Sequence, residues 1–210
     1  MLFSPRVGRS GYAPEVRAPQ TLTAGLRHQV SVLACAMLVA WTQDGPPARG
    51  SYDFTLEGEL SRHEFGAARF EGDQKLDGKE AFVVQLQTPA LEGGVFVAFA
   101  GKERPTVGTY AAVEAETKGM DGYQKIELSD SEVAILFYEM ERGRMVLLGS
   151  TGEGAVEITQ SEDDTIVGTI DVRIEGAVGN PQAFLSVRPK RARLVGAFDA
   201  EPGDVEFRKP

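Results

Sequence analysis

Alternation between apolar and polar residues constrains this chain more than any other feature. In residues 164–176, "DTIVGTIDVRIEG", the even positions from 166 to 174 are apolar or glycine, and the odd positions are mostly polar. Successive side chains of a strand point to opposite faces, so the pattern predicts a strand with one buried and one solvated face. Shorter runs of the same kind predict further antiparallel strands in residues 52–60, 80–88 and 154–160.

The strand-like runs are separated by turn residues, chiefly glycine beside aspartate or another glycine. We count about ten such runs at the spacing of a sandwich or barrel, without a regular alternation of strands and helices. One run, "GVFVAFA" at residues 94–100, is apolar at nearly every position and predicts a central strand covered on both faces. The predicted fold class is all-β, an antiparallel two-sheet sandwich of jelly-roll type, with a closed lipocalin-like barrel as the alternative.

One segment, residues 129–143, fits both a helix and a strand. As a helix, it has apolar residues at helical spacing, a capping box in Ser129 and Glu132, and Gly143 as a C-terminal cap. As a strand, its β-branched and aromatic residues favour extended structure, and "ERGR" favours a hairpin turn. We favour the hairpin because strands are predicted on both sides.

The chain divides into four parts by composition. Its 210 residues, 42% hydrophobic and 25% charged, suit one globular domain with extensions. Residues 51–210 carry the strand patterns and are assigned to a single β domain. Residues 43–50, rich in proline and glycine, are assigned to a linker, residues 30–42 to the hydrophobic region of a signal peptide, and residues 1–29 to a leader.

The apolar run at residues 30–41 is too short for a membrane helix, which needs about 20 residues, and suits a secretory signal. Arg27 supplies a positive flank, and Ala40 is the predicted cleavage position. Two alternatives stay open: lipidation of Cys35, because "VLAC" resembles a lipobox, and a buried strand or short helix of the domain. The sequence therefore predicts an exported protein, periplasmic or associated with the outer envelope, without a transmembrane span.

Residues 1–29 precede the signal region, although signal peptides normally sit at the start of a chain. They are rich in arginine, proline and glycine and show no apolar periodicity. Either the reading of the gene begins too early, or the protein has a disordered leader. Neither interpretation places these residues in the fold.

The charge of the chain argues against nucleic-acid binding. The formal net charge is −9, and because residues 1–42 are basic on balance, the rest is more acidic than the whole. An acidic body repels the phosphates of nucleic acids and anionic membrane surfaces. We therefore expect no nucleic-acid partner.

Common catalytic and metal-binding patterns are missing from the sequence. One of the two histidines, His28, precedes the predicted domain, which leaves His63, in a predicted turn. A single histidine is too few for a multi-histidine metal site. Glu139 and Glu141 share a strand face and are candidates for paired carboxylates, as in glycosidases. Residues 163–164 and 201–204 are candidate calcium-binding loops. Solvated polar positions explain these acids more simply, so no catalytic residue, cofactor or metal is predicted.

The glycine-rich run "GSTGEG", residues 149–154, resembles a phosphate-binding loop only in its glycines. No lysine follows it, and it precedes a strand pattern instead of a helix. It is predicted to be a turn that connects two strands.

One basic cluster stands out in the acidic body: "SVRPKRAR", with Arg188, Lys190, Arg191 and Arg193. These side chains are a candidate surface for an anionic glycan, a lipid head group or an envelope protein. The alternative is that they, with Pro189, keep an exposed edge strand from pairing with another molecule. We favour the alternative, because lysine, arginine and proline are common on edge strands.

Several short motifs lie between residues 105 and 200. They are Pro105-x-x-Gly108-Thr109-Tyr110, "GAVEIT", "IVGTIDV" and, near the C terminus, "LVGAFDA". In these motifs the chain resembles small exported bacterial envelope proteins and lipoproteins of unknown function, with β-sandwich or lipocalin-like folds. It departs from them at Ile170, where phenylalanine is usual. The resemblance implies an all-β envelope protein and assigns no catalytic residue.

These patterns favour an exported bacterial envelope protein that binds a ligand or supports an assembly without catalysis. The alternatives are an enzyme of the hydrolase or glycosidase type that uses paired carboxylates, and a carrier of a small apolar ligand. Such an enzyme requires two carboxylates that converge on a concave face, and a carrier requires an open apolar interior.

Overall fold

The computed structural model describes residues 47–76, 78–88, 92–115, 126–141, 143–179 and 188–205. All of the strands lie in one compact unit, Gly45–Pro210. The predicted leader, the signal region with Cys35 and Ala40, and the first half of the linker lie outside the described residues. The assignments made for them stay predictions.

Nine strands form most of the described part of the chain, and the prediction of an all-β protein is confirmed. Among the described residues, no helix has the length and the apolar character needed to cross a bilayer. The strands are β1 (Ser51–Gly58), β2 (Arg62–Leu76), β3 (Lys79–Gln87), β4 (Glu92–Ala100), β5 (Gly108–Ala112), β6 (Glu132–Glu141), β7 (Arg144–Glu162), β8 (Thr165–Gly179) and β9 (Arg188–Pro202).

The strands pair into one sheet that closes on itself. Their hydrogen-bonded order is β1-β2-β3-β4-β6-β5-β7-β8-β9, and β9 pairs back onto β1, from Ser51↔Asp199 to Gly58↔Ala192. The neighbours are antiparallel apart from two short parallel contacts, β2 with β9 and β5 with β6. The predicted fold class, all-β and antiparallel, is confirmed, and the β1–β9 pairing closes the nine-stranded sheet.

The interior of the closed sheet is filled by the side chains that the alternation predicts. In β8, Ile166, Ile170, Val172 and Ile174 are each at most 2% exposed, so the buried face predicted for this strand is confirmed. Burying a large aliphatic or aromatic side chain stabilises a fold by about 1.5–3 kcal/mol. The largest interior side chains include Tyr52, Phe54, Phe137, Leu148 and Phe198.

A second apolar cluster lies on the outer face of β3, β4 and β6. It includes Val83, Phe96 and Leu136, and Ile126 and Val205, which lie outside these strands, pack with them. The two-sided burial predicted for β4 is therefore confirmed. The solvated face predicted for β3 is wrong, because this outer layer packs on it.

The ambiguous segment forms the hairpin of β6 and β7, which pair from Glu141↔Arg144 at the turn. The favoured strand interpretation is confirmed. Ser129 and Glu132 do bond to each other, but in a turn that precedes β6. The Ser129 N–H donates to the Glu132 carboxylate at 2.8 Å, and the Glu132 N–H donates to the Ser129 carbonyl at 3.0 Å. A capping-box pattern therefore closes a turn here instead of beginning a helix.

The glycine-rich run at residues 149–154 lies within β7 and does not connect two strands, so the prediction of a turn is wrong. The β7–β8 register shifts between Ser150 and Gly154, which marks a bulge. Gly154 has a φ of +105°, a conformation that other residues rarely adopt. A Cβ at Gly149 would lie 1.6 Å from the carbonyl oxygen of Ala115. Only glycine at position 149 therefore lets the backbone at Ala115 lie so close to β7.

Candidate functional site

A charged cluster, named here the Arg62 cluster, faces the otherwise apolar interior and consists of Arg62, Glu64 and Glu139. Arg62 Nη1 donates to Glu139 Oε1 at 3.1 Å, and Nη2 donates to the other oxygen of the same carboxylate. Arg62 Nε lies 2.9 Å from Glu64 Oε1. The side chain of Glu139 is 2% exposed, that of Glu64 18% and that of Arg62 30%. The cluster is therefore sealed at Glu139 and reaches solvent at Arg62.

Strand register turns these polar residues inward. Arg62 is paired with Leu56 of β1, a core residue, and directly paired residues share a face of the sheet. Glu64 lies two residues further along β2 on the same face, and Glu139 lies two residues after the buried Phe137. The Arg62 guanidinium lies 5.4 Å from the Phe137 ring centroid, which adds a cation–π contact. A carboxylate buried as deeply as Glu139 needs such a cation, because an unpaired buried charge is costly.

The hydroxyl of Tyr52 lies in the field of this cluster without a hydrogen-bond partner. Tyr52 is 1% exposed, and its ring stacks on Phe54 with centroids 5.0 Å apart. Its hydroxyl makes no hydrogen bond among the described residues. Burial, and to a smaller extent the charge of Glu64, raises the pKa of this hydroxyl, while Arg62 opposes the rise. The group therefore stays protonated and presents a donor that no acceptor meets.

Buried hydroxyls without a protein partner are usually met by an ordered water or by a ligand. Buried polar groups almost always have a partner, and leaving one without costs about 1–3 kcal/mol. Thr88, just after β3, is 5% exposed and carries a second such hydroxyl. A few polar groups inside an apolar surround, connected to solvent, are typical of a site for a small polar molecule. The Arg62 cluster with Tyr52 has this composition.

Two carboxylates do converge in the structure, but they are not the two that the sequence indicated. Glu141 ends β6, and its side chain lies outside the description. Glu139 instead meets Glu64 on either side of the same Arg62 guanidinium. Both carboxylates are charge partners of Arg62, an arrangement that differs from an acid and a base facing an open cleft.

The other candidate residues lie on the surface. His63 belongs to β2, so its predicted place in a turn is wrong; its ring Nε2 is 2.6 Å from Asp53 Oδ1, and it is 45% exposed. Residues 163–164 do form the β7–β8 turn, and their carboxylates contact Arg104 at 2.6 Å and Arg49 at 2.7 Å. In the described part of the chain, no group of three or more histidine, cysteine or acidic residues is placed to hold a metal ion.

The four cations of the predicted basic cluster do not share a face. Arg191 and Arg193 lie on the outer face of β9. Arg191 Nε donates to Glu175 at 2.8 Å, and Arg193 binds both carboxylate oxygens of Asp171 at 2.7 Å. Hydrogen bonding from Arg193 holds the pKa of Asp171 below its ordinary value. These two arginines are already engaged by acids of the same sheet.

Arg188 and Lys190 belong to the opposite face of β9, since alternation places them with the core residue Ala192. Lys190 Nζ lies 3.4 Å from Glu59 Oε1. Glu59 also accepts the backbone N–H of Arg191 at 2.9 Å, and this bond lowers the pKa of its carboxyl. The basic cluster is thus divided between two surfaces by the period of the strand.

Strand β9 is not an edge over Ala192–Asp199, where it pairs with β8 on one side and β1 on the other. The protection of an edge strand is therefore the wrong explanation for Arg193, the member of the cluster within this range. Binding of an anion by Arg188, Lys190, Arg191 and Arg193 stays a prediction, now for cations on two faces and not on one.

No protein-family model matches the chain, and comparisons with curated proteins and with solved structures find no match either. The geometry of the Arg62 cluster is therefore the main guide to function.

Proposed function

We propose that this chain is an exported bacterial envelope protein that works as a non-enzymatic binding module, and that it takes its ligand at the Arg62 cluster. The observation that carries the proposal is the buried hydroxyl of Tyr52, which has no hydrogen-bond partner among the described residues. The same inner face of β1 and β2 carries an ion pair that reaches solvent. The apolar run at residues 30–42 and the resemblance of residues 105–200 to exported envelope proteins support the location.

The energetics favour a hydrogen-bond partner for the Tyr52 hydroxyl. A ligand atom that accepts a hydrogen bond from Tyr52 recovers part of the roughly 1–3 kcal/mol that the unpartnered donor costs. The side chains of Arg62 and Glu64 are 30% and 18% exposed, so this end of the cluster is in contact with solvent. The ion pair also fixes the positions of its own groups, so little order is lost on binding.

Binding without catalysis fits the cluster better than hydrolysis does. Glu64 and Glu139 are both engaged by Arg62, whereas a glycosidase pair needs one carboxyl free to donate a proton. A carrier of an apolar ligand is also less well supported, because Phe54, Phe137 and Phe198, each at most 1% exposed, fill the interior.

Two measurements test the location and the binding in turn. The mass of the mature protein from its native cell should show cleavage after Ala40; an uncleaved N terminus would contradict export, and an acylated Cys35 would place the protein among the lipoproteins. The full mature protein is then titrated with a deproteinised extract of the bacterial envelope while the side-chain Nε–Hε resonance of each arginine is followed by NMR.

The expected result is a shift of the Arg62 resonance, with the Arg193 resonance on the outer face as an internal control. The binding proposal fails if the extract leaves Arg62 unchanged, or if Arg193 shifts while Arg62 does not. In either case the Arg62 cluster is a structural ion pair only.

A further inference from the structure

An uncharged patch with one exposed aromatic side chain lies on the outer face of β2, β1, β9 and β8. We infer that two copies of this chain associate through this patch, with their outer sheet faces packed against each other. The inference goes beyond the proposed function, because it involves neither Tyr52 nor the Arg62 cluster. The Phe65 patch, as it is named here, consists of Thr55, Phe65, Ala67, Val167, Thr169, Val195 and Ala197.

Phe65 is the apolar centre of the patch. Its side chain is 66% exposed, and among the described residues the other large apolar side chain left exposed is Val107, at 63%, in the connection between β4 and β5. A single exposed apolar residue is ordinary on a protein surface, so the surroundings of Phe65 decide its role. The other members of the patch are threonine, alanine and valine, all at least partly exposed and without charge.

Strand pairing arranges this face in three rows that run across the four strands. Directly paired residues lie side by side on one face of the sheet. From β2 to β8, the rows are Phe65, Asp53, Ala197 and Thr169; His63, Thr55, Val195 and Asp171; and Ala67, Ser51, Asp199 and Val167. The exposed side chains of Phe65 and His63 show that this is the outer face.

The acids in these rows are already bonded within the chain. The pairs are Asp53 with His63 at 2.6 Å, Asp171 with Arg193 at 2.7 Å, and Asp199 with the Thr165 hydroxyl at 2.6 Å. A net charge of −9 makes two copies of the chain repel each other. The repulsion is weakest where the surface is uncharged or its acids are paired, which favours contact at the Phe65 patch.

A two-fold axis parallel to the strands, midway between β1 and β9, makes the rows complementary to themselves. Sheets that pack face to face lie about 10 Å apart with their strands nearly aligned, and a two-fold contact uses the same patch of both copies. Phe65 then lies over Thr169 of the second copy, and His63 lies over Asp171 of the second copy. An aromatic ring thus meets a small side chain, and a histidine meets an acid.

Neighbouring positions of the axis fit less well. An axis along β1 sets Asp53 of one copy against Asp53 of the other, which is repulsive. An axis along β9 sets Phe65 over Glu157, the residue of β7 that pairs with Thr169. The register therefore favours the axis between β1 and β9.

The size of the face predicts a weak dimer. Strands lie about 4.8 Å apart and rise about 3.4 Å per residue, so four strands as long as the 8 residues of β1 offer about 500 Å² per copy. Stable complexes bury about 800 Å² per partner. We therefore expect association that depends on concentration and reverses on dilution.

Sedimentation equilibrium of the full chain, at loadings from micromolar to millimolar, tests the inference. The apparent mass should rise from that of the monomer toward that of the dimer. Phe65→Ser should raise the dimer dissociation constant by about tenfold or more, because a central aromatic contact is lost twice. Thr169→Glu should also raise it. Position 169 lies three strands away from Phe65 in the same copy and meets it only in the dimer.

Val107→Ser is the matched control, because it removes an equally exposed apolar side chain outside the Phe65 patch. It should leave the dissociation constant unchanged. A monomer at every loading overturns the inference, and so does a dimer that Phe65→Ser and Thr169→Glu leave intact or that Val107→Ser weakens equally. None of these outcomes touches the proposed function, which is tested at Arg62.

Discussion

Two tyrosines lie in the same interior, and only one of their hydroxyls has a hydrogen-bond partner among the described residues. Tyr110 packs edge-on against Phe99, with centroids 4.9 Å apart, and its hydroxyl donates to the Thr106 carbonyl in the connection between β4 and β5. Tyr52 is buried at least as deeply, yet its hydroxyl has no partner among the described residues. One buried hydroxyl thus donates to the protein's own backbone, whereas the other makes no hydrogen bond with the described residues.

This difference separates a tyrosine with a structural hydrogen bond from one that belongs to the proposed binding site. Around Tyr110, a connecting segment supplies the acceptor, so that region of the interior is complete by itself. Around Tyr52, the charged groups whose field reaches the hydroxyl are engaged with one another, and no described residue accepts from it. If the two regions differ in this way, substitutions in them should change stability and its pH dependence to different extents.

Replacing Glu139 by leucine should have the largest effect, because it leaves Arg62 without its buried partner. We expect the free energy of unfolding to fall by about 2–3 kcal/mol, at the lower end for broken buried pairs since Arg62 is partly exposed. Urea unfolding of Glu139→Leu measures the loss. The double variant Arg62→Met with Glu139→Leu should recover most of it.

Asp171→Asn is the control on the outer face, where Arg193 and Asp171 form an exposed, solvent-screened pair. It should cost less than about 1 kcal/mol. An equal loss of unfolding free energy for Glu139→Leu and Asp171→Asn would mean that the buried ion pair stabilises the fold no more than the exposed pair does.

The second largest effect should be a pH dependence of stability that comes from the Tyr52 hydroxyl. Its pKa is higher in the folded protein than the ordinary value of 10.0. Above about pH 10 the unfolded chain releases this proton and the folded chain keeps it, so stability is full below that pH and falls above it. The slope from this one group approaches about 1.4 kcal/mol per pH unit well above pH 10, so the loss between pH 9 and pH 11 is about 1.4 kcal/mol in total.

Urea unfolding at a series of pH values from about 9 to 11 measures this slope in the wild type and in Tyr52→Phe. The variant should lose that part of the pH dependence, whereas Tyr110→Phe, which keeps the Tyr52 hydroxyl, should retain it. Identical slopes in wild type and Tyr52→Phe would show that the buried hydroxyl is not the source.

The smallest effects are expected at neutral pH, where both tyrosines are compared directly. Tyr110→Phe removes a made hydrogen bond and should cost about 0.5–1 kcal/mol. Tyr52→Phe removes an unpartnered hydroxyl and should leave stability unchanged or raise it by up to about 1 kcal/mol. Thermal or urea unfolding of the two variants decides the order, and a larger loss in Tyr52→Phe would show that its hydroxyl has a partner.

Much of the fold follows from alternation, because a period of two leaves few alternatives to a half-buried strand. The pattern of β8 and the hairpin of β6 and β7 were both predictable on this ground. Alternation failed where distant segments decide burial. The outer face of β3 reads as partly polar, with Gln85 in the run, but an outer layer covers it.

The site was harder to predict because it depends on register between strands far apart in sequence. Arg62 and Glu64 flank His63, which the sequence analysis places in a turn, although they share the parity of the buried Ala68 and Phe70. That parity was a usable signal. What no local pattern gives is that Glu139, on β6, meets Arg62 across the interior. The division of the basic cluster between two faces, by contrast, was readable from the parity of its four positions.

The pairing of Ser51 with Asp199 joins the first strand to the last. Pairing residues so distant along the chain costs much conformational entropy, which slows the step. We therefore expect the β1–β9 pairing to form late in folding. A nascent chain that still lacks β9 has two open flanks, on β1 and on β8, each with unpaired backbone groups able to recruit another chain. Completion of the last strand removes both at once, which makes truncation near the C terminus a route to aggregation.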